Sequence, residues 1–398
     1  MHTALKALTP QSATHKNTMA PTVAIVANSS WNIYNFRQPF IRACKQAGYR
    51  VLVIAPVDEY IRYLNEHYFT AHIPLKHLSA QGKNPLRDLL LLIELFRIYR
   101  REQPTLVFHF TAKPNIYGSM AARLAGVPNY PTVTGLGYAF LHSPLLRWLS
   151  KLLYRAALRK ARKVIFHNVE DEALFLESGI ARAGQTAVVN GSGLNTNHFR
   201  PLPQPRQQRF IFLFVGRLLY DKGIREYLKA ARQLKRLFPK SECWIVGQLD
   251  AANPAAVSRE ELLREVELQN VRYFGSTTDV RPYLKQCDVF VLPSYREGMP
   301  RAVLEALAMG KPVITTDTAG CKDAISPSCG WLVPVQDSIA LAKQMAAAGR
   351  LPQQELARMG AAARQRALTY FDEKQIVESY FELAQLAQAP ASKAARHG

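Results

Sequence analysis

The chain has 398 residues, 48% of them hydrophobic, which is enough for two cores of ordinary domain size. Lys and Arg total 51 against 30 Asp and Glu, a formal charge of +21, and this favours polyanionic partners such as nucleic acid, anionic lipid or diphosphates. Five cysteines, Cys44, Cys243, Cys287, Cys321 and Cys329, show no C-x-x-C spacing, which argues against a disulfide framework or thiolate metal site and for free, buried thiols in a reducing compartment.

Residues 1–20 contain His, Lys, Gln, Asn and Thr without an apolar stretch, so they read as a disordered lead-in and not a secretory signal, with Met19 a possible second start. The best candidate for a membrane span, Leu89–Ile93, is flanked by Arg87, Glu94 and Arg97 and is far too short to span a membrane. Thr22–Ala27 and Val51–Ala55 read as buried strands, with a helix from Phe36 to Gln46 between them, ending at Gly48. That strand–loop–helix beat recurs along the chain and predicts a doubly wound parallel α/β sheet with ligands at the carboxyl ends of the strands. The first such loop holds Asn28, Ser29, Ser30, Trp31 and Asn32. A dinucleotide fold requires G-x-G-x-x-G there, so an NAD-linked enzyme is disfavoured, and Ser29 is a candidate site residue.

Leu86–Arg101 predicts a helix and Thr105–Phe110 the next strand. His109, at the carboxyl end of that strand, is a candidate catalytic residue or else a packed strand histidine. Lys113 in the following loop faces either a diphosphate or water. Tyr130–Val133 is a further strand, followed by Gly135 and Gly137, which allow close backbone approach to a ligand or simply make a tight turn. From Leu145 to Lys163, Arg147, Lys151, Arg155 and Arg159 recur at four-residue steps beside Leu145, Leu149, Leu152, Leu153 and Ala156, with Trp148 and Tyr154 among them. A basic amphipathic helix with aromatic residues suits an anionic membrane surface, and the alternative is a solvated surface helix.

Val164–Asn168 and Gln185–Val189 complete a first domain over residues 21–200, and the proline-rich segment 201–208 reads as a linker. Phe210–Val215 restarts the beat for a second domain, 209–370. There Arg217 leaves a strand and Lys222 enters a helix, two cations beside a helix N-terminus that suit a diphosphate. Further strands are Cys243–Gly247, Val271–Phe274, with Gly275 at its exit, and Val289–Leu292. In the stretch Ser294–Thr316, Glu297 stands beside Gly298 and Met299 at the end of a strand. Pro300 suits the first position of a helix that carries Glu305 and ends at Gly310. One carboxylate at the crevice mouth and one on the helix wall suit the sugar and the ribose diol of a nucleotide sugar.

Glu297 and Glu305, with seven residues between them in SYREGMPRAVLEALAMGKPVI, together with the Gly216-Arg217…Lys222-Gly223 pattern, resemble the signature of the retaining GT-B glycosyltransferases of family 4. The resemblance covers about residues 22–388. It departs from the family in the first loop, where Ser29-Ser30-Trp31 replaces the glycines often found there. It implies two Rossmann-like domains about a central cleft, the donor on the second with Arg217, Lys222, Glu305, Gly298, Met299 and Gly275, and Glu297 as the carboxylate at the reacting sugar. It also implies a last helix, 371–388, crossing back to the first domain before a frayed tail at 389–398. Ile33–Arg37 and Gly135-Leu136-Gly137 are similar to bacterial enzymes that extend polyprenyl-diphosphate-linked sugars of O-antigen, capsule or protein glycans. The expected partners are therefore a UDP-type nucleotide sugar and a lipid-linked acceptor, at the cytoplasmic face of the plasma membrane and without nucleic acid. With no Asp-x-Asp in the chain, no metal cofactor is expected. A UDP-sugar 2-epimerase, which would turn over UDP-N-acetylglucosamine without an acceptor, a nucleic-acid binder and an inactive scaffold remain the alternatives.

Overall fold

The computed structural model describes residues 20–68, 71–79, 84–136, 144–203, 209–250, 253, 255–268 and 271–386. Among these, β1 (Thr22–Val26), β2 (Arg50–Ala55), β3 (Ala71–Pro74), β4 (Leu106–Phe110), β5 (Asn129–Val133), β6 (Val164–Phe166) and β7 (Thr186–Val188) form one parallel sheet in the order β3-β2-β1-β4-β5-β6-β7. A second parallel sheet, in the order β10-β9-β8-β11-β12-β13, contains β8 (Phe210–Val215), β9 (Ser241–Val246), β10 (Arg272–Tyr273), β11 (Val289–Leu292), β12 (Val313–Thr316) and β13 (Gly330–Val333). The central strands are buried on both faces, which is why they read as unbroken apolar runs. In each sheet the strand order reverses beside the first strand, β1/β4 and β8/β11, and crevices for ligands open at such switch points.

The period of two along β1 and β4 divides the first core. Val23, Ile25, Phe108 and Phe110 face Phe40 and the last helix, while Ala24, Val26 and Val107 face Leu91, Leu95 and Tyr99 of the helix Pro85–Glu102. The last helix, Glu373–Ala384, does pack on the first domain, through Ile376, Tyr380, Phe381 and Ala384. It is tied to the segment that follows β7 by Glu373 N–Leu194 O (2.9 Å) and Leu194 N–Phe371 O (2.8 Å). All five cysteines are free and buried, and among the described residues no helix is long and apolar enough to cross a membrane.

Local expectations differ in several places, and the helix expected over Phe36–Gln46 is two helices, Ser30–Phe36 and Gln38–Gln46. The helix expected to Lys163 ends at Leu158 (Pro144–Leu158), because Arg162 N turns to bond Asn129 O at the start of β5 (3.0 Å). Pro300 is the N-cap, with extended ψ of 104°, and the helix proper is Arg301–Ala308. β3 and the helices Tyr60–Tyr68 and Val169–Glu177 were not anticipated.

Candidate active site

β11 delivers the chain to Pro293-Ser294 at the carboxyl edge of the second sheet. The turn after β8 packs against it: Tyr295 N donates to Asp221 O (2.8 Å), and a side chain at Gly223, which has φ of 73°, would collide with Pro293 O. This backbone lock brings Lys222 against Glu297. Their side chains form an ion pair, and Ser294 Oγ donates to the same carboxylate oxygen at 2.9 Å. Both partners are largely buried, with 21% and 13% side-chain exposure, so the pair sits in a low-dielectric recess. One turn into the following helix, Glu305 Oε1 accepts from Arg301 Nε (3.0 Å). Burial raises the Glu305 carboxyl above its usual range, while Arg301 opposes the shift. Arg217 is exposed at the end of β8, and Gly275, at φ of 73°, leaves open space beside the exit of β10.

The loop 296–299 spans the gap to the first domain. Any side chain at Gly298 would strike Thr134 O, and Gly135 packs against the Gly298 backbone, so only glycine allows this approach. Asn168 Nδ2 donates to Gly298 O (2.9 Å), and Met299 lies against Gly191. Arg296 pairs with the fully buried Asp171 of the first domain, and Lys322 pairs with Glu170. Arg301 Nη1 reaches Asn35 O at 2.7 Å. Cations and a carboxylate thus face the first domain across a few ångströms of backbone, an arrangement suited to charge stabilisation during group transfer.

Residues 22–168 match the family described as glycosyl transferase 4-like, and residues 196–366 match glycosyl transferases group 1. The N,N'-diacetylbacillosaminyl-diphospho-undecaprenol alpha-1,3-N-acetylgalactosaminyltransferase of Campylobacter jejuni is 30% identical over 321 residues, covering 76% of this chain and 82% of that protein. The chain is a group 1 glycosyltransferase. The UDP-Gal:alpha-D-GlcNAc-diphosphoundecaprenol alpha-1,3-galactosyltransferase of Escherichia coli is also 30% identical, over 74% of this chain and 76% of its own. The Anabaena protein HepE, solved with UDP, superposes with a TM-score of 0.74 at 19% identity, over 92% of this chain and 99% of that one. That likeness is one of fold, and the fold of this glycosyltransferase is GT-B.

Four expected site residues are engaged elsewhere in the glycosyltransferase. His109 is fully buried under the helix Pro85–Glu102. Its Nε2 shares a hydrogen bond with Tyr99 Oη (2.9 Å), Ser119 Oγ stands 3.5 Å from Nδ1, and burial lowers its pKa to about 3. It is a neutral core histidine with no access to substrate. Lys113 is bound to Asp88 at 2.6 Å, and Ser29 caps the helix Ser30–Phe36 by accepting from Asn32 N (3.1 Å). Arg155 donates to Gly179 O (3.0 Å) and Ser178 O at the end of the helix Val169–Glu177, while Arg147 and Arg159 are exposed and Lys151 is half-buried. Gly137 lies outside the described residues. The residues that sequence reasoning missed are Asn168, Asp171, Arg296 and Arg301. The signal for the first two was an Asn N-cap followed by Glu170, Asp171 and Glu172 in the first turn.

Proposed function

We propose that this glycosyltransferase moves a hexose or N-acetylhexosamine from a UDP-linked sugar to a sugar carried on a polyprenyl diphosphate, retaining the anomeric configuration, in surface polysaccharide or glycan assembly. The observation that carries the reading is the Lys222–Glu297–Ser294 cluster at the β11 exit, facing the first domain across Gly298. The acceptor class is supported by the two relatives named above, and UDP by the donor in the name of one of them.

In this reading the bond between donor C1 and the diphosphate oxygen breaks, and Lys222 and Arg217 donate to the leaving oxygens as their charge grows. The acceptor hydroxyl bonds to C1 from the same face, and its proton passes to a leaving phosphate oxygen. Glu297 accepts from a donor-sugar hydroxyl and offsets the positive charge that develops at C1. Glu305 takes the ribose diol. In this reading cations do the work that Asp-x-Asp and a metal do elsewhere. Incubated with UDP-galactose or a UDP-N-acetylhexosamine and a polyprenyl-diphosphate sugar, the enzyme gives a product whose anomeric proton signal keeps the donor's configuration, and EDTA leaves the rate largely intact. An inverted product, or complete inhibition by EDTA reversed by magnesium, overturns the mechanism.

A lipid-linked acceptor requires the crevice to reach the cytoplasmic face of the membrane. The helix Pro144–Leu158 supports this: Leu145, Trp148, Leu149 and Leu152 lie on one outward side and are 71%, 60%, 45% and 40% exposed. A large apolar side chain contributes about 1.5–3 kcal/mol on full burial. Replacing Trp148 and Leu149 with Ser therefore weakens sedimentation with anionic vesicles by on the order of tenfold or more. Unchanged binding would make this side merely solvated.

A further inference from the structure

We infer that the first domain carries a second anion site, remote from the crevice, which takes the phosphate of an anionic phospholipid headgroup. The inference rests on the membrane reading above and gives it a specific contact. The site is an open basin of 680 Å³ walled by Arg123, Arg159, Lys160, Arg162 and Arg182, with Asn129 also lining it and no carboxylate among its lining residues. All five cations are exposed, and none forms an ion pair among the described residues.

Topology fixes its place. Arg123, Arg159–Arg162 and Arg182 precede β5, β6 and β7, respectively, so the basin lies at the amino edge of the parallel sheet. The crevice loops 134–135 and 168–171 follow β5 and β6, at the opposite edge. Along β5 the two edges are about 16 Å apart.

The basin is preformed. Arg162 N bonds Asn129 O (3.0 Å), Gln185 Nε2 donates to Leu158 O (2.7 Å) and Ala161 O (3.0 Å), and Lys163 Nζ donates to Gly184 O (2.6 Å). These bonds hold the cation-bearing loops together against their mutual repulsion, which a bound anion would offset. Asn129 is 1% exposed, and its Oδ1 has no hydrogen-bond partner. A buried acceptor beside this ring of donors suits a ligand that brings a hydroxyl or a bound water along with its phosphate.

The helix Pro144–Leu158 argues for lipid as the source of that phosphate. Its last turn runs directly into Arg159 and Lys160, and the outward stripe Leu145, Trp148, Leu149 and Leu152 lies on the same helix, about 22 Å long. With the helix lying flat, the stripe enters the acyl boundary and the cations at its end sit at the level of the headgroup phosphates. A soluble anion would gain nothing from the stripe.

The test compares the full chain with the variant Lys160→Gln/Arg162→Gln/Arg182→Gln on phosphatidylcholine vesicles with and without phosphatidylglycerol. A control, Lys229→Gln/Arg264→Gln/Lys343→Gln, removes the same charge from exposed positions of the second domain. The basin variant loses on the order of 100-fold in affinity for the anionic vesicles, scaled from the contribution of each cation at such a surface, and the control loses about threefold or less. All the substituted residues are exposed, so thermal midpoints stay at the wild-type value. Equal losses in the two variants, or none in the basin variant, overturn the site. Calorimetric binding of inorganic pyrophosphate that is abolished in the basin variant while vesicle binding persists assigns the basin to a soluble anion and overturns the lipid. Wild-type protein that ignores anionic vesicles altogether defeats the membrane reading itself.

Discussion

Lys222→Ala lowers kcat/KM by roughly 30- to 1,000-fold, about 2 to 4 kcal/mol, the range for loss of one preorganised donor at a developing oxyanion. The structure adds a second reason for a large effect. Without its ion pair, Glu297 becomes an unneutralised carboxylate of 13% exposure next to the incoming diphosphate, so the recess changes from neutral to repulsive. The two contributions separate kinetically. Lost ground-state attraction raises KM, whereas lost stabilisation of the leaving diphosphate lowers kcat. The expected signature is a fall in kcat together with a rise in donor KM, measured with saturating acceptor. A rise in KM with kcat unchanged would mean that Lys222 only recruits the donor. The turn itself keeps its shape, because it is held by backbone bonds such as Tyr295 N–Asp221 O (2.8 Å).

The two sheets were legible because their central strands are buried on both faces and stand out as runs such as VLVIA and FIFLFV. β3 was not, since Ala71–Pro74 is an edge strand, half exposed and closed by proline. Glu297, Lys222 and Glu305 could be singled out because each sits in a local pattern at a strand exit. Their pairing could not, because Lys222 and Glu297 meet only when β8 and β11 become neighbours. His109 shows a reading that periodicity alone could have corrected. Along β4 it alternates with Phe108 and Phe110 and shares the side of Val107, beneath the helix Pro85–Glu102. The four-residue ladder on the helix Pro144–Leu158 misled in another way. Equal spacing does not reveal that Arg155 reaches the orphan carbonyls of a neighbouring helix end.

Asp171→Ala destabilises the protein by about 3 kcal/mol, the low end of the range for breaking a buried ion pair. Asp171 is fully buried and Arg296 24% exposed, so the orphaned guanidinium can turn partly to water. Burial holds the Asp171 carboxyl above its usual range even though Arg296 and the Asn168 amide (3.1 Å) favour the charged form. A carboxyl whose folded pKa lies above its unfolded value contributes less stability as pH rises through that window, so desolvation outweighs the pairing and the intact pair adds little net stability. Replacing both partners, in Asp171→Asn with Arg296→Met, therefore recovers most of the stability that either single change loses. Activity does not follow. Arg296 adjoins Glu297 and ties its loop to the first domain, so both singles and the double variant lose on the order of ten- to a hundredfold in kcat through misplacement of Glu297. Thermal unfolding and steady-state kinetics on all three variants test this. A double variant that regains kcat along with stability would make the pair a stability element only, and single variants with wild-type midpoints would remove its role altogether.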